Sequence, residues 1–128
     1  MIKYLNIEDI LQLHFNIIEE YGGAHGIRSE ERLLSVIEAP QLNVFGAEQY
    51  TGDYNKAAVY IRNIIGDHPF VDGNKRTGIT SGSVFLLTNG YKLTATPKQL
   101  EDFAVSIAVD KLDIETIASW LQSNSVIL

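Results

Sequence analysis

The chain has 128 residues, 45% of them hydrophobic, with no cysteine and a formal net charge of −6. That length suits one domain, 1–128, with room for one core, and the apolar share excludes a disordered chain. The missing cysteines exclude a disulfide scaffold, a thiolate metal site and a cysteine nucleophile, and the acidic balance opposes a protein built to coat nucleic acid.

Glu8 and Asp9 interrupt the apolar stretch at the N-terminus, and runs such as Val84 to Leu87 are too short to cross a bilayer. No export signal and no membrane span are therefore expected, which makes the cytoplasm the default location. From Asn6 to Tyr21, Ile7, Ile10, Leu11, His14, Ile17, Ile18 and Tyr21 recur at helical spacing, with Asn6 as N-cap and Gly22 past the end. Ser29 caps a second helix, with Leu33, Leu34 and Ile37 turned inward and Pro40 as its stop. Gln41 to Gly52 lacks a period and reads as a loop with a short helical turn. Asp53 caps a third helix that runs to about Ile65, burying Ala57, Ala58, Tyr60, Ile61, Ile64 and Ile65, and Gly66 ends it.

A loop over Asp67 to Gly73 leads into a fourth helix, Asn74 to Thr88, closed by Asn89-Gly90. Tyr91 to Ala95 reads as a short extended piece. Thr96-Pro97-Lys98-Gln99 supplies a capping box with proline at the first helical position, starting a helix to about Val109. Asp113 caps the last, with Ile114, Ile117, Trp120 and Leu121 on one face. The expected fold is all-α: a bundle of about six helices with at most one short extended segment.

One stretch departs from amphipathic patterning: His68-Pro69-Phe70-Val71-Asp72-Gly73-Asn74-Lys75-Arg76-Thr77-Gly78. It sets a histidine, a carboxylate and two adjacent cations at a loop-to-helix junction. A helix N-terminus offers unpaired N–H groups and the positive end of the macrodipole, so it favours an anion. Lys75 and Arg76 oppose that dipole, and an anionic ligand would remove the conflict. The pattern is that of a phosphate cradle. Charge by segment agrees: residues 1–67 carry −5, 68–100 carry +3 and 101–128 carry −4.

Phosphate-ester chemistry gives each residue a role. Asp72 offers hard oxygen for Mg²⁺. His68 can take a hydroxyl proton near neutral pH. Phe70 is an inward anchor, and Asn74 either caps the helix or hydrogen-bonds a phosphate. Lys75 and Arg76 neutralise charge during transfer. The P-loop pattern fails, since Gly73 is followed by Asn74, and neither eukaryotic kinase motifs nor H-E-x-x-H occurs. His14 is assigned to the apolar stripe and His25 to a glycine-rich turn. Trp120 and the tyrosines are assigned to packing. Arg28 is either structural or part of a binding surface. Thr77, Thr80, Ser81 and Ser83 follow the motif as hydroxyls open to modification.

Residues 68–76 resemble the signature of the Fic/Doc superfamily, H-x-F-x-[DE]-[GA]-N-[GK]-R, at seven specified positions of nine. Gly26-Ile27-Arg28, the Leu33-Leu34 helix ending at Ala39-Pro40, and Lys56-Ala57-Ala58 are similar to the death-on-curing (Doc) branch. The resemblance implies an all-helical fold with the motif on a loop entering a helix. AMP-transferring Fic enzymes carry glycine where Lys75 stands and a second arginine where Ile79 stands, so AMP transfer is the second choice. The Doc pattern implies a reversed nucleotide and transfer of the γ-phosphate of ATP to a Ser or Thr hydroxyl, by resemblance on elongation factor Tu. It implies His68 as base, Asp72 as Mg²⁺ ligand, Gly73 and Asn74 in the anion nest, and Lys75 and Arg76 as phosphate cations. The family's inhibitory motif [ST]-x-x-x-E-[GN] is absent, so a separate antitoxin of the Phd type is the expected partner. The rival outside enzymology is a degenerate module that only binds such an antitoxin.

Overall fold

The computed structural model describes residues 1–128. Helix α1 spans Ile7–Tyr21, α2 Glu30–Glu38, α3 Asp53–Asp67, α4 Asn74–Thr88, α5 Pro97–Asp110 and α6 Ile114–Ser123. Two small antiparallel strand pairs accompany them. In one, β1 (Asn43–Val44) pairs with β2 (Ala47–Glu48); in the other, β3 (Tyr91–Leu93) pairs with β4 (Ser125–Ile127). The six expected helices are all present and the fold is all-α.

Helix starts follow the capping chemistry. The Asn6 side chain accepts from the Asp9 N–H while the Asp9 carboxylate accepts from the Asn6 N–H, both at 2.9 Å. Thr96 and Gln99 form the same reciprocal box at α5. Ser29 caps α2 and Asp113 caps α6. At α3 the expectation fails: Gly52 is the N-cap without a side-chain bond, Asp53 is already helical, and Gly66 lies inside the helix. The helix ends only when His68 turns left-handed, because the Pro69 ring removes the next N–H donor. In α2, Leu34 is 51% exposed and Val36 is fully buried, a one-step rotation of the expected face. The segment read as a loop with a helical turn holds a 3₁₀ turn at Ala39–Gln41 and the β1–β2 hairpin. The Tyr91 piece becomes a strand because β4, more than thirty residues further along the chain, returns beside it.

The core is one cluster with α3 at its centre, packed between α4 and α6. Ala57, Ala58, Tyr60, Ile61, Ile64 and Ile65 are all buried, as their spacing requires. Lys56 is buried with them; its Nζ donates to the Pro40 carbonyl at 3.0 Å and lies 3.4 Å from Glu48. Tyr60 fixes the chain entering α1: its hydroxyl accepts from Leu5 N–H at 3.0 Å. Phe103 and Trp120 stack at 3.9 Å and join α5 to α6.

The α3–α4 seam depends on glycine. A Cβ on Gly82 would overlap the Ile61 side chain, and one on Gly78 would stand 2.8 Å from Ile65 Cγ1 and 3.1 Å from the Ile61 carbonyl. Those two glycines let the backbones close up, and the closeness sets where α4 begins relative to the end of α3.

This seam yields a signed prediction. Glycine to alanine in an open helix stabilises by about 1 kcal/mol. Gly82→Ala should instead destabilise by about 1–3 kcal/mol through overpacking, measured by urea unfolding. A gain in stability would show that the seam is loose.

Candidate active site

The motif occupies the junction between α3 and α4, and three neighbours hold it. Segment 26–29 runs beside it as an extended strip. Arg28 and Ser29 N–H donate to the Pro69 carbonyl at 2.7 and 3.1 Å, Val71 N–H donates to the Gly26 carbonyl at 3.0 Å, and Ile27 bridges Phe70. The Arg28 side chain donates to the His68 carbonyl at 2.8 Å and to Asp67 O at 3.1 Å, and Arg32 adds a bond to Asp67 O at 2.9 Å. Arg28 is therefore structural: with Arg32 it satisfies carbonyls that the end of α3 leaves open.

Helix α1 supplies the second support. His14 is 4% exposed, and its ring stacks on Phe70 at a centroid distance of 3.8 Å with planes 6° apart. Its Nε2 lies 2.8 Å from the Asp72 carbonyl, which can only accept, so Nε2 carries the hydrogen. Burial pushes the His14 pKa down, which keeps the ring neutral. The sequence put His14 on the apolar stripe correctly but did not show this clamp. Its one signal was a polar ring where helical spacing asked for an aliphatic residue.

The third support is internal. Asn74 is buried, with its side-chain oxygen accepting from Phe70 N–H at 3.1 Å and its nitrogen donating to Phe70 O at 3.0 Å. The capping role does not hold, since Gly73 is the N-cap, and the Asn74 amide gives one N–H and one oxygen lone pair to closing the loop. Its backbone N–H, in the first turn of α4, is open to an anion. Phe70, 1% exposed, is the inward anchor that the sequence predicted.

What these supports present is consistent. His68 is exposed and left-handed at φ 50°, with Nδ1 3.1 Å from the Gly66 carbonyl. That bond places the hydrogen on Nδ1 and leaves the Nε2 lone pair outward, as a general base requires. The Asp72 carboxylate accepts from Gly73 N–H at 2.9 Å and Ala24 N–H at 3.2 Å, which fixes its direction while lone pairs stay open. Gly73 sits at φ 77°, and a Cβ there would stand 3.0 Å from Ile18, so glycine is needed twice over. No side chain caps α4, unlike α1, α2, α5 and α6. Its first-turn N–H groups therefore remain open beside the exposed Lys75 and Arg76.

Two cavities flank this junction. One, of about 380 Å³, lies between α3 and α5 and is lined by His68, Arg62, Ile65 and Lys111. The other, of about 500 Å³, lies between α4 and α5 and is lined by Lys75, Arg76, Tyr21, Ile79 and Leu100. His25 pairs with Glu19 at 2.8 Å at the surface, while its neighbours Ala24 and Gly26 bond the motif. Thr77 and Ser81 are fully buried, with hydroxyls that lack a partner, and of the four hydroxyls only Thr80 lines either of these two cavities. No three His, Asp or Glu side chains converge as a metal cluster.

The loop's closure is testable through Asn74. Asn74→Ala should cost about 1–3 kcal/mol, since it strands two buried backbone groups of Phe70. Asn74→Asp should do no better than alanine, because a carboxylate can accept from the Phe70 N–H but would face its carbonyl. Wild-type stability of Asn74→Asp in urea unfolding would contradict this bonding.

The chain is similar to known proteins along most of its length. Residues 4–86 match the model of the Fic/DOC family. The chain is 32% identical over 123 residues to "Toxin Doc" of Mycolicibacterium smegmatis, covering 94% of this chain and 92% of that one. It is 29% identical over 120 residues to "Protein kinase doc" of Escherichia phage P1, covering 94% of each. A loop anchored by Phe70, carrying His68 and Asp72 into an uncapped cationic helix, and a match along nearly all of both relatives lead to one assignment: the chain belongs to the Fic/DOC family, on its death-on-curing branch.

Proposed function

We propose that the chain is a Doc-type toxin acting as a phosphotransferase, which moves the γ-phosphate of ATP to a Ser or Thr hydroxyl of a protein. The carrying observation is that one pinned loop joins a histidine with an outward Nε2 to an uncapped, cationic helix N-terminus. Relatives named a toxin and a protein kinase support the reading. In the reaction, the acceptor oxygen bonds to the γ-phosphorus, ADP leaves, and His68 Nε2 takes the hydroxyl proton. The N–H groups of residues 74–76, with Lys75 and Arg76, hold phosphate oxygens whose charge shifts during transfer.

The donor set suits Mg²⁺. Asp72 offers a single oriented carboxylate, and Mg²⁺ draws most of its ligands from phosphates and water rather than from a protein cage. Bound there, Mg²⁺ would neutralise phosphate charge. The groove beside Lys75 and Arg76, walled by Ile79 and Leu100, has the volume and apolar lining for a nucleoside. The cavity that His68 lines is the approach for the acceptor hydroxyl. Ile79 is 8% exposed and belongs to the core, so no second cation stands in the turn after Arg76. That supports phosphate over AMP transfer.

By family resemblance the acceptor is elongation factor Tu, whose modification would stop translation in the cytoplasm. No helix is long and apolar enough to cross a membrane. The inhibitory motif is missing from the chain, which supports control by a separate antitoxin of the Phd type.

Intact-mass measurement of the acceptor tests the reaction directly: a gain of about 80 Da marks phosphate and about 329 Da marks AMP. Phosphate is expected, and a 329 Da gain would overturn the reading of Ile79. His68→Ala should abolish both the mass gain and growth arrest in cells producing the chain alone, with its thermal unfolding unchanged. Undiminished arrest by that folded variant would remove His68 from the chemistry.

A further inference from the structure

We infer that Tyr21, the last residue of α1, is a positioning residue that presets the Arg76 guanidinium for phosphate. The guanidinium carbon lies 4.2 Å from the centroid of the Tyr21 ring. Arg76 makes no ion pair, since the three in the structure are His25–Glu19, Lys56–Glu48 and Lys98–Asp102. Glu19 and Glu20 precede Tyr21 in the chain, yet neither pairs with Arg76.

The kind of contact matters. A carboxylate partner would fix the guanidinium but consume its N–H donors and cancel its charge. An aromatic face attracts the cation through the ring quadrupole and leaves the donors at the edge of the plane unused. The ring contact therefore restricts a long, exposed side chain without occupying the atoms that would bind phosphate. A lysine here would keep the charge and lose the plane.

The platform is itself tied to the site. The chain just beyond Tyr21 is anchored to the motif by the bond from Ala24 N–H to the Asp72 carboxylate. Further back in α1, His14 holds the Asp72 carbonyl. One helix thus references both the acidic and the cationic sides of the site. Tyr21 and Arg76 line the same groove beside the first turn of α4. Tyr21 is 57% exposed, so trimming it opens no hole in the core.

This inference rests on the reading of Arg76 as a phosphate cation, and the test separates the two. Calorimetric titration of the full chain with Mg²⁺–ATP, and with inorganic tripolyphosphate, compares wild type, Tyr21→Leu, Tyr21→Phe, Arg76→Ala and the Tyr21→Leu/Arg76→Ala double variant. Tyr21→Leu should weaken binding about three- to tenfold, while Tyr21→Phe keeps it, since the ring supplies the contact. In the Arg76→Ala background, Tyr21→Leu should have no further effect, which a merely structural role would not produce. Wild-type affinity in Tyr21→Leu, or an equal loss in both backgrounds, would overturn the role of Tyr21 while leaving Arg76 as a phosphate cation. Unchanged affinity in Arg76→Ala would overturn the reading of Arg76 and the inference with it.

Discussion

The hydrogen bond from His14 to the Asp72 carbonyl, with Phe70 stacked on the same ring, is the contact on which the site depends. The loop between α3 and α4 is too short to hold a core of its own. It is held by what it buries: Phe70 against His14, the Asn74 amide against the Phe70 backbone, and Pro69 against the strip at 26–29. With those contacts made, the polar side chains need no packing role. His68, Asp72, Lys75 and Arg76 all remain exposed.

Against this fixed frame, α4 begins under electrostatic tension. Two cations stand in its first turn, no side chain caps it, and the Gly73 conformation forbids most substitutes. Each of these features works against an isolated helix. They are tolerated because the rest of α4 is secured elsewhere, through the glycine seam against α3. The same terminus that is poor for helix stability is well suited to an anion. Local disagreement with helix rules is what marks a site in an otherwise consistent sequence.

Much of this was legible in the letters. Capping residues such as Asn6, Ser29, Thr96 and Asp113 announced their helices because capping is a local interaction. The motif was legible because it combined residue types that packing alone does not bring together. Tertiary choices were less visible. Gly66 carries no sign of whether a helix ends there, and the His68 turn was decided by Arg28 and Pro69 around it. The β3–β4 pair and the rotated face of α2 depend on partners distant in sequence. By spacing alone His14 and Tyr21 are stripe and packing residues, since what each touches lies more than fifty residues away. Sequence spacing pointed to the candidate site and left its supports unseen.

We propose that phosphate binds at the start of α4, with His68 across the loop. Backbone amide NMR during titration with Mg²⁺–ATP measures this residue by residue. The largest saturable shifts are expected at the amides of Asn74, Lys75 and Arg76, with His68 ring signals moving in the same titration. Shifts confined to other surfaces, such as Arg62 and Lys111, with residues 73–76 unmoved, would contradict it.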